Sequence, residues 1–352
     1  EKRRGVGIAW GGFNVTEGGG DSAEVALELM PGNKIRKYDT WHAMGQGATT
    51  GSLVVTLEAL KEMHLTPEDI QLIQNDTKTC PDTGMAGASR SLYMDGNATI
   101  IAANKLLAAM RKEDGTLRTY DEMKAEGIKT KYLGRYETNT TPGLCRLDPN
   151  TGIGDPTPAF TYCLNLAEVE VDTKTGKTTV LKFTCVDFVG RIGNIDAVNG
   201  QAYSGIMHGI GFALKEDYAD VKKHANMFGA GTSYIKDVPD DINLIHIDGA
   251  ISDGPFGSSG ASEAFQASGH CAVLNGIYNA CGVRIHEIPA LPEKVKAGLD
   301  AIAKGEKPYE PKKYFLGSDM YEELENIKEN PVQVGTQSFY VSLDDPTAER
   351  PF

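Results

Sequence analysis

Four times along this chain a glycine-dense stretch runs straight into a run of helical spacing. The stretches are Met44-Gly-Gln-Gly-Ala-Thr-Thr-Gly51, Asp82-Thr-Gly-Met-Ala-Gly-Ala-Ser-Arg90, Val189-Gly-Arg-Ile-Gly-Asn-Ile-Asp196 and Gly254-Pro-Phe-Gly-Ser-Ser-Gly-Ala-Ser-Glu263. A helix start leaves backbone N–H groups without intrahelical partners, and glycine lets the incoming chain bend sharply and approach a ligand closely. A single such loop is ordinary, and a first-turn glutamate such as Glu263 ordinarily just complements the helix dipole. Four together point to a large, polyanionic ligand held mainly by backbone N–H groups, with one carboxylate reserved for chemistry.

Familiar phosphate and nucleophile motifs are excluded. The first loop reads G-x-G-x-x-x-G, one residue too long for the dinucleotide fingerprint, and no clear βαβ unit surrounds it. The second has no lysine after its glycine, as a P-loop needs. Gly257-Ser-Ser-Gly is too short for the G-x-S-x-G elbow of a hydrolase. His270 stands about 10 Å along the same helical pattern from Glu263, too far for a direct proton relay, and reads as a packing histidine.

The segments between the loops set the fold. Gly5 to Gly11, Ala23 to Leu29 and Lys34 to Trp41 read as strands of an opening meander, broken by a loop through Gly18 to Gly20. The first loop then opens a helix to about His64, and Ile70 to Gln74 is a short strand. The second loop opens a long helix to about Met110, followed by a short one at 120–125. Residues 129–159 read as an irregular surface excursion. Thr161 to Asp172 and Thr178 to Phe188 form a hairpin about Thr173-Lys-Thr-Gly-Lys177. The third loop leads into a helix from Ala197 to about Leu214, whose glycines oppose helix propensity by about 1 kcal/mol each. Either a neighbouring helix or a large cofactor must pack close to it. Ile242 to Ile247 is a buried strand, and the fourth loop opens a helix running from Ala264 to Cys281 with Gly282 as its stop. Its buried face would carry positions 264, 267, 271, 274, 277 and 281. A last helix begins at Leu291-Pro292 and ends near Gly305, and another spans 319–328. The fold class is α+β (mixed α/β): two strand–glycine-loop–helix repeats, residues 1–128 and 129–305, with a central hairpin, then a C-terminal arm at 306–352.

A net charge of −13 over 352 residues argues against a nucleic-acid partner, which needs a basic face. No apolar run is long enough to span a bilayer. The six cysteines, at 80, 145, 163, 185, 271 and 281, show no metal-ligand spacing, so iron–sulfur clusters and structural zinc are not expected within this chain. Cys163 and Cys185 fall in apolar strands, and Cys271 and Cys281 on the apolar helix face. Buried free thiols imply a reducing, cytoplasmic compartment.

Met44-Gly-Gln-Gly-Ala, Gly84-Met-Ala-Gly-Ala-Ser-Arg90, Gly200-Gln201 with His208-Gly-Ile-Gly211, and Gly254 to Glu263 resemble, in order, the molybdenum-cofactor domain of the xanthine oxidase family. The likeness is nearest to bacterial aldehyde oxidoreductases carrying molybdopterin cytosine dinucleotide. It runs from about Gly5 to Gly298, including Cys281-Gly-Val-Arg-Ile and Pro289-Ala-Leu-Pro-Glu-Lys-Val. The resemblance implies the second cofactor lobe of a molybdenum hydroxylase that inserts a water-derived oxygen into an aldehyde or N-heterocycle. Glu263 matches the base that takes the proton from a Mo–OH group, hydride passes to a Mo=S sulfur, and electrons leave through iron–sulfur clusters. Ser259, Gly260 and Ala261 match backbone contacts near the metal, which has no direct protein ligand. Met44, Gly45 and Gln46 match a cofactor-contacting loop. Ala86, Gly87, Ala88, Ser89, Arg90 and Ser91 match a phosphate and dinucleotide loop. Gly193, Asn194, Val198 and Gln201 match further cofactor contacts. The implied partners are the first cofactor lobe and an iron–sulfur domain or subunit. Ser262 stands where the xanthine dehydrogenase branch often has glycine, and Ala264-Phe265 where it has Pro-Pro or similar, which argues against a xanthine-like substrate. The alternatives are a non-catalytic cofactor- or nucleotide-binding scaffold subunit and, more weakly, a hydrolase built on Glu263 and His270.

Overall fold

In the computed structural model, residues 1–16, 21–74, 76–138, 148, 151, 153, 154, 157–306 and 329 are described. Among the described residues the strands are β1 (Lys2–Val15), β2 (Ser22–Met30), β3 (Lys34–Asp39), β4 (Ile70–Gln74), β5 (Lys131–Glu137), β6 (Ala159–Asp172), β7 (Thr178–Phe188) and β8 (Asp241–His246). The helices are α1 (Ala48–Ala59), α2 (Ser91–Met110), α3 (Tyr120–Ala125), α4 (Ile195–Leu214), α5 (Met227–Ala230), α6 (Ser262–Gln266), α7 (Gly269–Cys281) and α8 (Pro292–Ala303). Residues Glu1–Pro308 make one compact unit. Among the described residues no helix is long and apolar enough to cross a membrane. The loop through Gly18 to Gly20, the arm beyond Glu306 other than Glu329, and the helix expected at 319–328 lie outside the described residues.

Among the described residues the mixed α/β fold contains two four-stranded sheets, ordered β4-β3-β2-β5 and β8-β7-β6-β1. Each holds an antiparallel pair in its middle (β2 with β3, β6 with β7) and one parallel neighbour (β4 beside β3, β8 beside β7). The same plan therefore occurs twice. Strand, glycine loop, helix and parallel strand run as β3–α1–β4 and again as β7–α4–β8, and a further glycine loop and helix follow each.

The fourth strand of each sheet is exchanged. β1 precedes β2 in the chain but pairs along its whole length with β6, from Lys2↔Asp172 to Val15↔Ala159. β5 precedes β6 but pairs with β2. Each edge strand carries a glycine where a helix backbone rests on it. A Cβ at Gly7 would lie 2.0 Å from the Ala272 carbonyl oxygen of α7, and one at Gly134 2.0 Å from the Ala98 oxygen of α2. One core lies between the second sheet and α4, α6 and α7, around Phe183, Ile206 and Phe265; the other lies between the first sheet, α1 and α2, around Leu27, Ile35 and Leu106. Burying such side chains stabilises the fold by about 1.5–3 kcal/mol each.

The structure corrects several expectations. The opening is not a meander, because β1 leaves for the other sheet and only β2 and β3 stay together. The 129–159 stretch contains β5, an element whose alternation is short and whose partner is remote in sequence. The first glycine loop does stand inside a βαβ unit, because β3 and β4 are parallel; sequence alone could not show that pairing. α1 ends at Ala59, and a short 3-10 turn at Lys61–Met63 takes up the rest. The helix expected at 264–281 is broken between Gln266 and Gly269, where Ser268 leaves helical geometry (φ −135°, ψ 0°). The break changes the helical phase, so Ala272, Val273, Gly276 and Ile277 are buried while Cys271 is exposed. Gly282 stops α7 as expected, at φ 78°. Gly205 and Gly209 of α4 are explained by neighbouring chain: a Cβ at Gly205 would meet the Phe265 Cβ at 2.5 Å, and one at Gly209 the Gly269 Cα at 3.0 Å, whereas nothing lies within 4 Å of one at Gly200.

Candidate functional site

The parallel strand pairs place the glycine loops where helices open beyond the strand ends, and the doubled plan brings all four loops together. They approach one another closely. Gly47 of the first loop comes against Ala197 of α4, which the third loop opens, and Gly193 of the third against Val54 of α1. The third and fourth loops share a bridge, Gly190↔Ser258, and the Arg191 N–H donates to the Gly257 oxygen at 2.8 Å. The second and fourth meet so closely that a Cβ at Gly260 would lie 1.8 Å from the Ser89 oxygen.

Between them lies a cleft of about 600 Å³, in the range of small-molecule and cofactor sites. It is lined by Met44 and Gln46, by Ala86, Gly87, Ser89 and Ser91, by Gly193, Asn194, Val198 and Gln201, and by Ser259, Gly260, Ala261 and Glu263. Each loop therefore contributes residues singled out in the sequence. Gly45 and Ala88 do not line the cleft, and the Ala88 carbonyl instead accepts the Thr16 N–H at 3.0 Å.

Arg90 has a different role from the one its loop suggests. Its guanidinium is buried and gives all five N–H donors to the protein: to both Asp21 oxygens at 2.7 and 2.8 Å, and to the carbonyls of Ser22, Thr83 and Met85. No donor remains for a ligand phosphate. Arg90 pins the loop from beneath.

Glu263 is the second residue of α6, a helix of only five residues. The Ser89 hydroxyl donates to Glu263 Oε2. Among the described residues Oε1 accepts no side-chain hydrogen bond. Gln46, also lining the cleft, is folded back on its own loop, accepting the Met44 N–H at 2.5 Å and donating to the His42 carbonyl at 3.2 Å. Asn194 caps α4 through the Ala197 N–H at 3.1 Å. The Ser259 hydroxyl is buried in the cleft wall without a hydrogen-bond partner among the described residues, an arrangement that normally calls for a ligand or water. His270 does not line the cleft. It sits beyond the helix break, half-buried, with Nδ1 unpartnered and with burial pushing its pKa below the ordinary imidazole value.

The family model for the molybdopterin cofactor-binding domain matches residues 1–239. This chain belongs to that family.

The molybdopterin-binding fold is shared in detail. The chain is 40% identical over 299 residues to an aldehyde oxidoreductase of Megalodesulfovibrio gigas, covering 85% of this chain and 33% of that protein. The crystal structure of the aldehyde oxidoreductase from Desulfovibrio desulfuricans superposes with a TM-score of 0.80 at 43% identity, over 84% of this chain and 32% of that one. A probable hypoxanthine oxidase of Escherichia coli is 28% identical over 289 residues, covering 74% of this chain and 29% of that protein. The chain thus spans about a third of the length of these relatives.

Several cleft residues of this molybdopterin-binding domain were not legible beforehand. Val54 and Glu58 of α1 line it at helical spacing from Gly47 and Gly51 of the first loop, but such a stripe reads equally well as a core face. Arg191 and Phe256 sit inside recognised loops with nothing local to mark them. Phe256 adopts a left-handed φ of 55°, which the sequence does not announce.

Proposed function

We propose that this domain is the second cofactor lobe of a molybdenum hydroxylase of the aldehyde oxidoreductase type, with Glu263 as its catalytic base. The observation that carries the reading is the Glu263 carboxylate, held in the wall of the cleft that all four loops line. The residues present fit the cofactor. The cleft is large enough, its loops end in helix N-termini, and the Ser259 hydroxyl is buried there without a partner among the described residues. Ser91, Asn194, Gln201 and Ser259, with the backbone of the four loops, would hold the pterin and the phosphates of a cytosine dinucleotide tail. When bound, the group supplies a metal that takes two electrons from an aldehyde or N-heterocycle and delivers a water-derived oxygen. The protein's share is to orient the substrate, exclude water and take up a proton at Glu263 Oε1, Oε2 being engaged by Ser89. A carboxylate acting as general base in this way contributes typically about 10²–10⁴-fold to rate.

The remaining parts of such an enzyme, a first cofactor lobe and an iron–sulfur domain or subunit, are its proposed partners. The outer face of the second sheet suits contact with another lobe: Val6, Ile8 and Trp10 of β1 lie exposed beside Phe160 and Tyr162 of β6, with Trp10 stacked on Tyr162 at 5.7 Å. Cys163 and Cys185, buried 3.3 Å apart as free thiols, suit a reducing, cytoplasmic setting.

The test uses the full enzyme. Molybdenum and a cytosine nucleotide released on acid treatment are expected in it, and Glu263→Gln is expected to lower kcat at least about a hundredfold with the molybdenum content unchanged. Full turnover in that variant removes the base assignment. An enzyme devoid of molybdenum removes the hydroxylase reading and leaves a scaffold subunit.

A further inference from the structure

Ala88 and Ser89 stand one after the other in the left-handed region, at φ 51° and 49°. Single non-glycine residues visit that region at a cost, and two in succession persist only where the surroundings over-determine them. Here they do. The Ala88 carbonyl is held by the Thr16 N–H, the Arg90 guanidinium grips the loop through the Thr83 and Met85 carbonyls, and the Ser89 carbonyl is pressed against Gly260, where no side chain fits. The result is that the Ser89 hydroxyl, 174 residues away in sequence, donates to Glu263 Oε2.

We infer that Ser89 is a positioning residue for the Glu263 carboxylate, and that the strained turn of the second loop exists to deliver it. This rests on the reading of Glu263 as the base. A glutamate has three side-chain torsions, and a helix as short as α6 does little to fix them. Engaging Oε2 from one side selects one orientation and leaves Oε1 for proton transfer. Holding a catalytic group in its productive geometry is worth large factors in rate, and a small misplacement forfeits them. The dinucleotide contact suggested for the 86–91 loop then falls to its backbone and to Ser91, while the Ser89 side chain serves the base.

The test compares Ser89→Ala, Ser89→Gly, Glu263→Gln and the Ser89→Ala/Glu263→Gln double variant in the full holoenzyme, reading kcat, KM, molybdenum content and thermal midpoint. Glycine tolerates the left-handed conformation, so Ser89→Gly removes the hydroxyl without backbone penalty. Both single serine variants are expected to lose about ten- to a hundredfold in kcat, the value of one hydrogen bond to a charged group. KM should stay within about twofold and molybdenum content should match the parent. Ser89→Ala should add no further loss to Glu263→Gln, because the carboxylate it positions is gone. The inference is overturned if Ser89→Gly keeps parental kcat, if activity falls only in proportion to molybdenum content, or if the serine change costs the same factor in the Glu263→Gln background. A fully active Glu263→Gln enzyme would instead remove the base reading itself.

Discussion

Asp39 and Asp187 occupy the same place in the two halves of the chain. Asp39 ends β3, opposite Gln74 of the parallel strand β4, and accepts from the Gln74 amide at 2.7 Å and from the Ser52 hydroxyl at 2.7 Å. Asp187, near the end of β7, lies opposite His246 of β8, meets its Nδ1 at 2.7 Å, and His246 Nε2 meets Asn199 Oδ1 at 2.8 Å. Ser52 and Asn199 are each the fifth residue of the crossover helix, α1 from Ala48 and α4 from Ile195. One buried aspartate thus clasps two strands and a helix beneath the cleft, twice over, with glutamine in one clasp where histidine stands in the other.

Substitution at His246 tests that equivalence. His246→Gln reproduces the first clasp and should be milder than His246→Ala, which leaves Asp187 buried and unpaired at a cost of about 1–3 kcal/mol. Burial pushes the Asp187 pKa above the ordinary carboxylate value. The folded state therefore holds this proton more readily than the unfolded chain does, and the stability so gained is present in acid and lost as pH rises. The alanine penalty should accordingly be smaller near pH 4 than at pH 7, as read by denaturant unfolding.

Asp95 gives a pH dependence of its own. It is fully buried, 2.6 Å from the equally buried Lys37, yet burial outweighs that attraction and its pKa is pushed up to about 6. A carboxyl whose folded pKa is raised contributes stability below its unfolded value, near 4, and loses it as pH climbs through the folded one. Relative to Asp95→Asn, the parent should lose about 2 kcal/mol of unfolding free energy between pH 4 and 7. A difference that stays flat over that window would contradict the assignment. Lys37 also contacts Asp39 at 3.2 Å, so this ion cluster underlies the first clasp.

Two glycines of α4 should respond oppositely to alanine. At Gly205 the new methyl would meet Phe265 at 2.5 Å, and the overpacking should cost about 1–3 kcal/mol while pushing α6 away from α4. At Gly200 nothing lies within 4 Å of the new methyl, so helix propensity alone acts and alanine should gain up to about 1 kcal/mol. Denaturant midpoints of the two variants check both signs; equal effects would mean that the α4–α6 contact is looser than described.

The sequence by itself determined the local units. The alternation over 161–172, the turn at Thr173 to Lys177, the glycine loops and the stop at Gly282 each depend on neighbours within a few residues, and all appear where their patterns put them, the strand beginning two residues earlier at Ala159. Residues it singled out in all four loops also line one cleft, though about half of that lining was not among them. Only the tertiary structure decided the rest, since those choices lie between residues far apart in the chain. β1 and β5 exchange sheets through pairings more than a hundred residues long in sequence. The seat of α6 and α7 on β1 and β6 accompanies a break that helical periodicity cannot foresee: the buried Asn165 amide donates to the Ser268 hydroxyl at 3.0 Å. Arg90 looks like a phosphate ligand until Asp21 and three carbonyls take every donor it has. Ser89 looks like another loop hydroxyl until the left-handed turn and the bare backbone of Gly260 bring it to Glu263. Local patterns fix which elements form; packing and hydrogen bonds across the chain fix which side chains are left free for a ligand.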